Sequence, residues 1–372
     1  MASKVILLYI NSLALGGAQR VTCNLSAYLA ERGYSVFLAC RDSPSQDFYP
    51  TPRNVVRITI GKWKESNWVT RKFLVLRDIF ALRKVLRKNN VDVAIGMMTE
   101  PSLTLLLASL KLKTKIILSE RNHPPYENPS FIWRGLRRYL YRYADSSVTL
   151  TQSTATWVMK NTKLKKVNVI PVSIDWPLLS FDPFVDPNLF FDPKKQYFLS
   201  VGRLDDQKGF DNLIKIFSTI AGKIPNWDLI IAGEGKEREN LEQLVLENGL
   251  EGRIKLPGRV GNILDWYKMC DIFVFSSRFE GFGNVLLEAM SAGCPVISFD
   301  CEVGPSEIIE DGHNGILVDN QSYKAMAIAM ESLAGNQSLK QKYGQNATEV
   351  REIYSNKNVL NKWVSVIEQC DQ

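Results

Sequence analysis

Asp271-Ile-Phe-Val-Phe-Ser-Ser-Arg-Phe-Glu-Gly-Phe-Gly-Asn-Val-Leu-Leu-Glu288 reads as a strand, a glycine turn and a helix in succession. Residues 271–275 are an apolar run of strand length, and Asn284 opens a helical pattern that Gly293 ends. Pro295-Val-Ile-Ser-Phe299 is the next apolar run. Strand, helix and strand at this spacing predict a parallel sheet with helices packed on its faces. Glu280 falls on the loop after the first strand, and Glu288 lies farther on, inside the helix. Between them Gly281, Phe282, Gly283 and Asn284 place backbone N–H groups at a helix start, where the dipole favours an anion. A phosphate between two carboxylates that hold hydroxyls is a way to grip a sugar nucleotide.

The same alternation extends in both directions. Residues 197–201, 228–232, 253–256 and 315–318 are further strand-length apolar runs in the second half. In the first half they fall at 5–10, 34–39, 91–95, 115–118, 147–150 and 167–170. Between the halves, 171–193 carries Pro171, Pro177, Pro183, Pro187 and Pro193, which predicts an interdomain linker. The expected organisation is an α/β chain of two doubly wound domains, 1–170 and 196–350. A linker at 171–195 joins them, and a C-terminal helix at 351–372 closes the chain and can cross back to the first domain. Such domains take ligands at the C-terminal ends of their strands, in a cleft between the two.

Composition excludes several classes. With 45% hydrophobic and 23% charged residues over 372 positions, the chain is of globular type. It has no run of 18 or more apolar residues, so no transmembrane helix is expected. The short apolar run at the start lacks a signal-peptide cleavage pattern and reads as a first strand. The six cysteines show no metal-ligand spacing, which fits reduced thiols in a cytoplasm. The net charge of +7 hides a split: residues 1–170 hold 27 Lys/Arg against 10 Asp/Glu, and the remainder 19 against 29. A basic first half points to a polyanionic partner or, more blandly, to a solvated surface. Residues 68–90 hold seven Lys or Arg and one acid, Asp78, on a helical pattern. Residues 131–143 hold Arg134, Arg137, Arg138 and Arg142 among aromatic residues. Both stretches suit an anionic membrane surface, or pack their apolar faces on the sheet. Nucleic acid is not expected, because no recognised binding motif is present.

Other loops add candidate residues. Gly16 and Gly17 join the first strand to the first helix and suit amides facing a phosphate, or an ordinary turn. Arg203 and Lys208 lie on the loop after residues 197–201, where two cations can neutralise a diphosphate. Gly233 and the pair Gly258-Arg259 end strands and can hold a nucleobase through backbone groups. Gly304-Pro-Ser-Glu-Ile-Ile309 starts a helix at the same sheet edge. Glu120, Arg121, Asn122 and His123 cluster at a strand end in the first half.

Taken together, these segments resemble the retaining glycosyltransferases of the GT-B fold, family four, over nearly the whole chain. The features shared in order are the glycine loop at 16–17, Gly202-Arg-Leu with Lys208, the Glu280-x7-Glu288 pair and the run at 304–309. The look is most similar to bacterial enzymes that build glycans on a polyprenyl-diphosphate lipid, N-acetylgalactosaminyltransferases among them. The resemblance implies two Rossmann-like domains facing each other across a cleft, the first binding acceptor and the second a nucleotide sugar. It implies that Glu280 contacts donor-sugar hydroxyls, Glu288 holds the ribose, and Arg203 and Lys208 bind the diphosphate. It implies transfer with retention and without metal or other cofactor, and a D-x-D metal motif is missing. Many relatives carry a histidine straight after the Ser-Glu of the first-half strand. Here Arg121 stands there and His123 comes two later, so Glu120, Arg121 and Asn122 are expected to line the acceptor side.

The expected function is transfer of a hexose or N-acetylhexosamine, GalNAc favoured, from a UDP-sugar to a growing lipid-linked glycan. The expected place is the inner face of the cell membrane, with peripheral attachment from the cytoplasm. Catalysis is expected to rest on Glu280, Arg203, Lys208, Glu120 and Arg121. A UDP-sugar 2-epimerase of the same fold, or a non-catalytic scaffold of a glycan assembly complex, are the alternatives.

Overall fold

The computed structural model describes residues 4–14, 16–61, 68–126 and 131–371, with the backbone alone for 68–73 and 371. It divides into two compact units, Met1–Ser173 with Val359–Gln372, and Ile174–Asn358.

The first unit is built on seven parallel strands: β1 (Val5–Ile10), β2 (Ser35–Cys40), β3 (Val55–Thr59), β4 (Val93–Met97), β5 (Lys115–Ser119), β6 (Ser146–Thr149) and β7 (Val167–Val169). Their order is β3-β2-β1-β4-β5-β6-β7, so the winding reverses between β1 and β4. Ile6 to Ile10, Val93 to Met97 and Ile116 to Ser119 are all buried, as strands covered by helices on both faces must be. Strand β3 has no counterpart among the expected runs. It pairs only with β2, is half-exposed and carries Arg57, so its sequence lacks the continuous apolar signal.

The second unit holds β8 (Gln196–Val201), β9 (Trp227–Ala232), β10 (Ile254–Gly258), β11 (Ile272–Phe275), β12 (Val296–Asp300) and β13 (Ile316–Asp319). All are parallel in the order β10-β9-β8-β11-β12-β13, with the reversal between β8 and β11. Phe198, Phe217, Leu213 and Trp227 form part of its core, with Phe198 and Trp227 rings 4.6 Å apart.

The proline-rich segment is not a free linker. Most of it belongs to the second unit and is laid against it. Phe191 is buried, edge-on to Tyr197 at 4.7 Å and near Trp266 at 5.7 Å. Phe181 N donates to Gly261 O at 3.0 Å, and Gly261 N donates to Pro183 O at 2.7 Å. Phe190 and Phe191, packed against Trp266, gain more from burial than a solvated linker would offer. At the other end, the helix Asn356–Glu368 begins in the second unit, and its residues from Val359 belong to the first. There Tyr28 and Arg32 both donate to Asn361 Oδ1, at 2.7 and 2.6 Å, and Trp363 is fully buried.

Candidate active site

In the second unit, the loops after β8, β9 and β10 are held together by glycines. Gly202 N donates to Ala232 O at 3.0 Å, and Gly233 N donates to Gly258 O at 2.8 Å. A Cβ on Gly233, whose φ is +152°, would come within 1.8 Å of Gly202 O. Gly233 therefore permits close backbone approach, and that packing sets the C-terminal edge of the sheet. Arg259, next to Gly258, is exposed.

At this edge Lys208 meets Glu280. Nζ of Lys208 lies 2.6 Å from Glu280 Oε1, with the two side chains 13% and 9% exposed. The ammonium also lies 5.4 Å from the centre of the Phe275 ring. Lys208 ends the 3₁₀ turn Asp206–Lys208 after β8, and Glu280 sits on the loop after β11, so the reversal of winding makes these loops neighbours. Ser276 Oγ donates to Lys208 O at 2.9 Å, and Gln207 Nε2 donates to Phe279 O at 3.0 Å. Arg278 clasps Asp211 with two hydrogen bonds of 2.9 and 2.8 Å, and its amide donates to Gln207 O at 2.8 Å. Arg278, Asp211, Gln207 and Ser276 carry no motif that singles them out. Their partners are roughly seventy residues away, and only the fold joins them.

Arg203 is placed differently from Lys208. Its side chain is 73% exposed, 3.2 Å from Asp205 Oδ2 and 3.3 Å from Gln207 Oε1. One expected cation is thus anchored and the other stays on the surface.

The helix Asn284–Ser291 opens on Gly283 at φ +108°, with no side-chain cap and no acid in its first turn. Its first N–H groups and the positive dipole end are therefore not answered by a local side chain. The Phe282 side chain is buried, edge-on to Tyr354 at 5.7 Å. Only its backbone, with that of Gly281, can serve the turn. A Cβ on Gly304, at φ +110°, would lie 2.2 Å from Phe282 O, so the run at 304–309 buttresses this turn. Glu288 is half-buried on the helix.

In the first unit, Gly16 and Gly17 precede and open the helix Gly17–Glu31, which also lacks a side-chain cap and a first-turn acid. Gly16 is extended at φ 170°, a conformation open to any residue. The cluster after β5 splits. Glu120 is buried: Oε2 accepts from Thr99 Oγ1 at 2.9 Å, Oε1 accepts from Tyr141 OH at 2.5 Å, and Arg137 Nη1 lies 3.7 Å away. His123 is buried with Nδ1 2.9 Å from Thr154 Oγ1. Asn122 is exposed, whereas Arg121 is 7% exposed. Burial alone pushes the Arg121 guanidinium down to about 10. Among the described residues no three or more His, Cys, Asp or Glu side chains group so as to hold a metal ion.

Residues 183–350 match the family model "Glycosyl transferases group 1", and residues 15–175 match "Glycosyltransferase Family 4". The chain belongs to the GT-B glycosyltransferases of family four. An amylovoran biosynthesis glycosyltransferase of Erwinia amylovora is 28% identical over 357 residues, 95% of this chain and 96% of that one. An α-1,4-N-acetyl-D-galactosaminyltransferase of Campylobacter jejuni, named for an undecaprenyl-diphosphate-linked acceptor, is 25% identical, covering 97% of each chain. In structure, a sucrose-phosphate synthase from Thermosynechococcus elongatus superposes with a TM-score of 0.82 at 19% identity, covering 98% of each chain.

The basic stretches of this glycosyltransferase have two faces each. On the helix Trp68–Lys88, Leu82 and Leu86 are buried while Leu76 and Phe80 are exposed beside Arg77 and Lys84. The side chains of Trp68, Arg71, Lys72 and Phe73 lie outside the described residues. Asp78 is fully buried, 2.7 Å from Arg41, which also reaches Glu100 at 2.8 Å. On Phe131–Leu140 and the turn after it, Phe131, Tyr139 and Tyr143 are 75%, 62% and 63% exposed, interleaved with exposed Arg134, Arg138 and Arg142. Arg137 departs from the expected basic face. It turns inward to Glu120 and lies 5.1 Å from the Trp157 ring centre. No helix among the described residues is long and apolar enough to cross a membrane.

Proposed function

We propose that this glycosyltransferase moves a hexose or N-acetylhexosamine from a UDP-sugar to a polyprenyl-diphosphate-linked glycan, with retention and without metal. The observation that carries this is the Lys208–Glu280 pair at the C-terminal edge of the second sheet, with Arg203 on the same loop as Lys208. A cation held by a carboxylate can exchange that partner for a diphosphate as the donor arrives. The carboxylate so released can accept hydrogen bonds from sugar hydroxyls. Glu288 would take the ribose, and the uncapped amides of Gly283 and Asn284 would face the phosphate. As the glycosidic bond to the leaving diphosphate breaks, Lys208 and Arg203 would stabilise the charge that develops on it, which supplies the role a metal serves elsewhere. GalNAc is the favoured sugar because of the Campylobacter relative's printed activity. Its acceptor likewise motivates the lipid-linked substrate.

The exposed aromatic and basic rows at 131–143 and 76–88 would rest on the anionic inner face of the membrane. Flotation with anionic and neutral vesicles tests that attachment; equal failure on both removes it. The reaction itself is tested by release of UDP from a panel of UDP-sugars with lipid-linked acceptors, with and without EDTA. Acceptor-dependent turnover that survives EDTA is expected. Free epimerised UDP-sugar with no acceptor consumed would mean a 2-epimerase, and no turnover with any mixture would mean a scaffold.

A further inference from the structure

Arg121 follows β5 and Glu120 at the C-terminal edge of the first unit's sheet. It is 7% exposed, and its Nη1 is buried with no hydrogen-bond partner. Among the described residues no hydrogen bond or ion pair reaches its guanidinium, and no neighbouring charge acts on it. The adjacent carboxylate is committed elsewhere: Glu120 accepts from Thr99 and Tyr141 and faces Arg137. An arginine stays protonated at neutral pH, so among the described residues this is a buried charge without a counter-charge, which a fold tolerates only at a cost. The edge around it is strained as well. Met98, which follows β4, sits at φ +75°, and its N–H donates to Ser119 O at 2.9 Å, fixing the end of β5 beside it. Strain of this kind gathers where a site is held ready for a ligand.

We infer that Arg121 is an anion seat in the first unit, which takes two oxygens of a phosphate group of the acceptor. The planar guanidinium fork suits bidentate recognition of such an oxyanion. The group arrives with the charge that the protein omits, so Arg121 gains its counter-ion only in the complex. This rests on the reading of the acceptor as a lipid diphosphate. The same chemistry is present in the donor's diphosphate, and the experiment separates the two sources.

The test uses the full chain with farnesyl diphosphate and UDP as probes, in wild type, Arg121→Met and Arg121→Lys. Calorimetric titration is expected to show farnesyl diphosphate binding weakened roughly tenfold or more in Arg121→Met, the loss of a charge-assisted hydrogen bond. Arg121→Lys should fall between, since it keeps the charge and loses the fork. UDP affinity should be unchanged in both. Arg121→Met should melt at or above the wild-type temperature, because it removes an uncompensated buried charge. Weakened UDP binding with farnesyl diphosphate binding intact would overturn the assignment in favour of the donor. A melting temperature well below wild type in both variants, with both probes still bound, would make Arg121 structural and overturn it too. If wild type binds UDP and does not bind farnesyl diphosphate, the lipid-diphosphate acceptor itself fails. If wild type binds both and Arg121→Met does so equally well, only the role of Arg121 fails.

Discussion

Replacing Lys208 by Met separates two jobs that the Lys208–Glu280 pair combines. Nζ of Lys208 and Oε1 of Glu280 are 2.6 Å apart, with both side chains nearly buried. Removing the lysine leaves a buried carboxylate without its cation, which costs about 3–5 kcal/mol for a pair of this kind. Neutralising both partners in Lys208→Met/Glu280→Gln should restore at least about 2 kcal/mol of that loss, since the uncompensated charge disappears. Thermal denaturation of the three variants measures the cycle. UDP affinity then isolates the phosphate contact, because UDP carries no sugar. Lys208→Met should weaken UDP by about 10- to 150-fold, equivalent to about 1.5–3 kcal/mol for a hydrogen bond to a charged group. Glu280→Gln should leave UDP affinity unchanged or improve it, since the lysine no longer has a competing anion to leave. The same variant should lose sugar transfer, because the sugar hydroxyls lose their carboxylate. Weakening of UDP by Glu280→Gln as severe as by Lys208→Met would refute the exchange of partners. So would a double variant no more stable than Lys208→Met alone.

Gly261→Ala places a Cβ 1.7 Å from Phe181 O, so the proline-rich segment must shift. A destabilisation of about 1–3 kcal/mol or more is expected in thermal denaturation, and a neutral result would show that the segment is not packed there. Arg137→Met should destabilise by about 3 kcal/mol through the carboxylate of Glu120 it leaves behind, whereas Arg138→Ala should change stability by less than about 0.5 kcal/mol. Vesicle flotation should rank them in reverse, with only Arg138→Ala weakening attachment to anionic lipid. Burial pushes the thiols of Cys23, Cys40 and Cys301 up to about 12, so few thiolates form at pH 8. Ellman's reagent should find these three silent in the native protein and count six thiols in guanidinium.

The strands buried on both faces were legible because burial demands an unbroken apolar run. β1, β4, β5, β8, β9, β11 and β12 all carry such runs. β3 was not legible, because an edge strand with one covered face can carry Arg57. Lys208 and Glu280 were legible as candidates from their glycine-flanked loops, and their mutual contact was not. The proline count at 171–193 spoke for a linker, and the burial of Phe191 among the prolines spoke against it.

The sequence by itself determined two parallel α/β halves, the candidate loops at their strand ends and the charge split between the halves. Local spacing and side-chain type suffice for these. Tertiary structure decided which charges face each other. It paired Lys208 with Glu280, left Arg203 on the surface, turned Arg137 inward to Glu120 and buried Arg121 with no counter-charge among the described residues. The reason is physical: whether a charge is a site, a clamp or a solvated surface depends on burial and on partners tens of residues away. Parallel strands bring such partners together only once the sheet has formed.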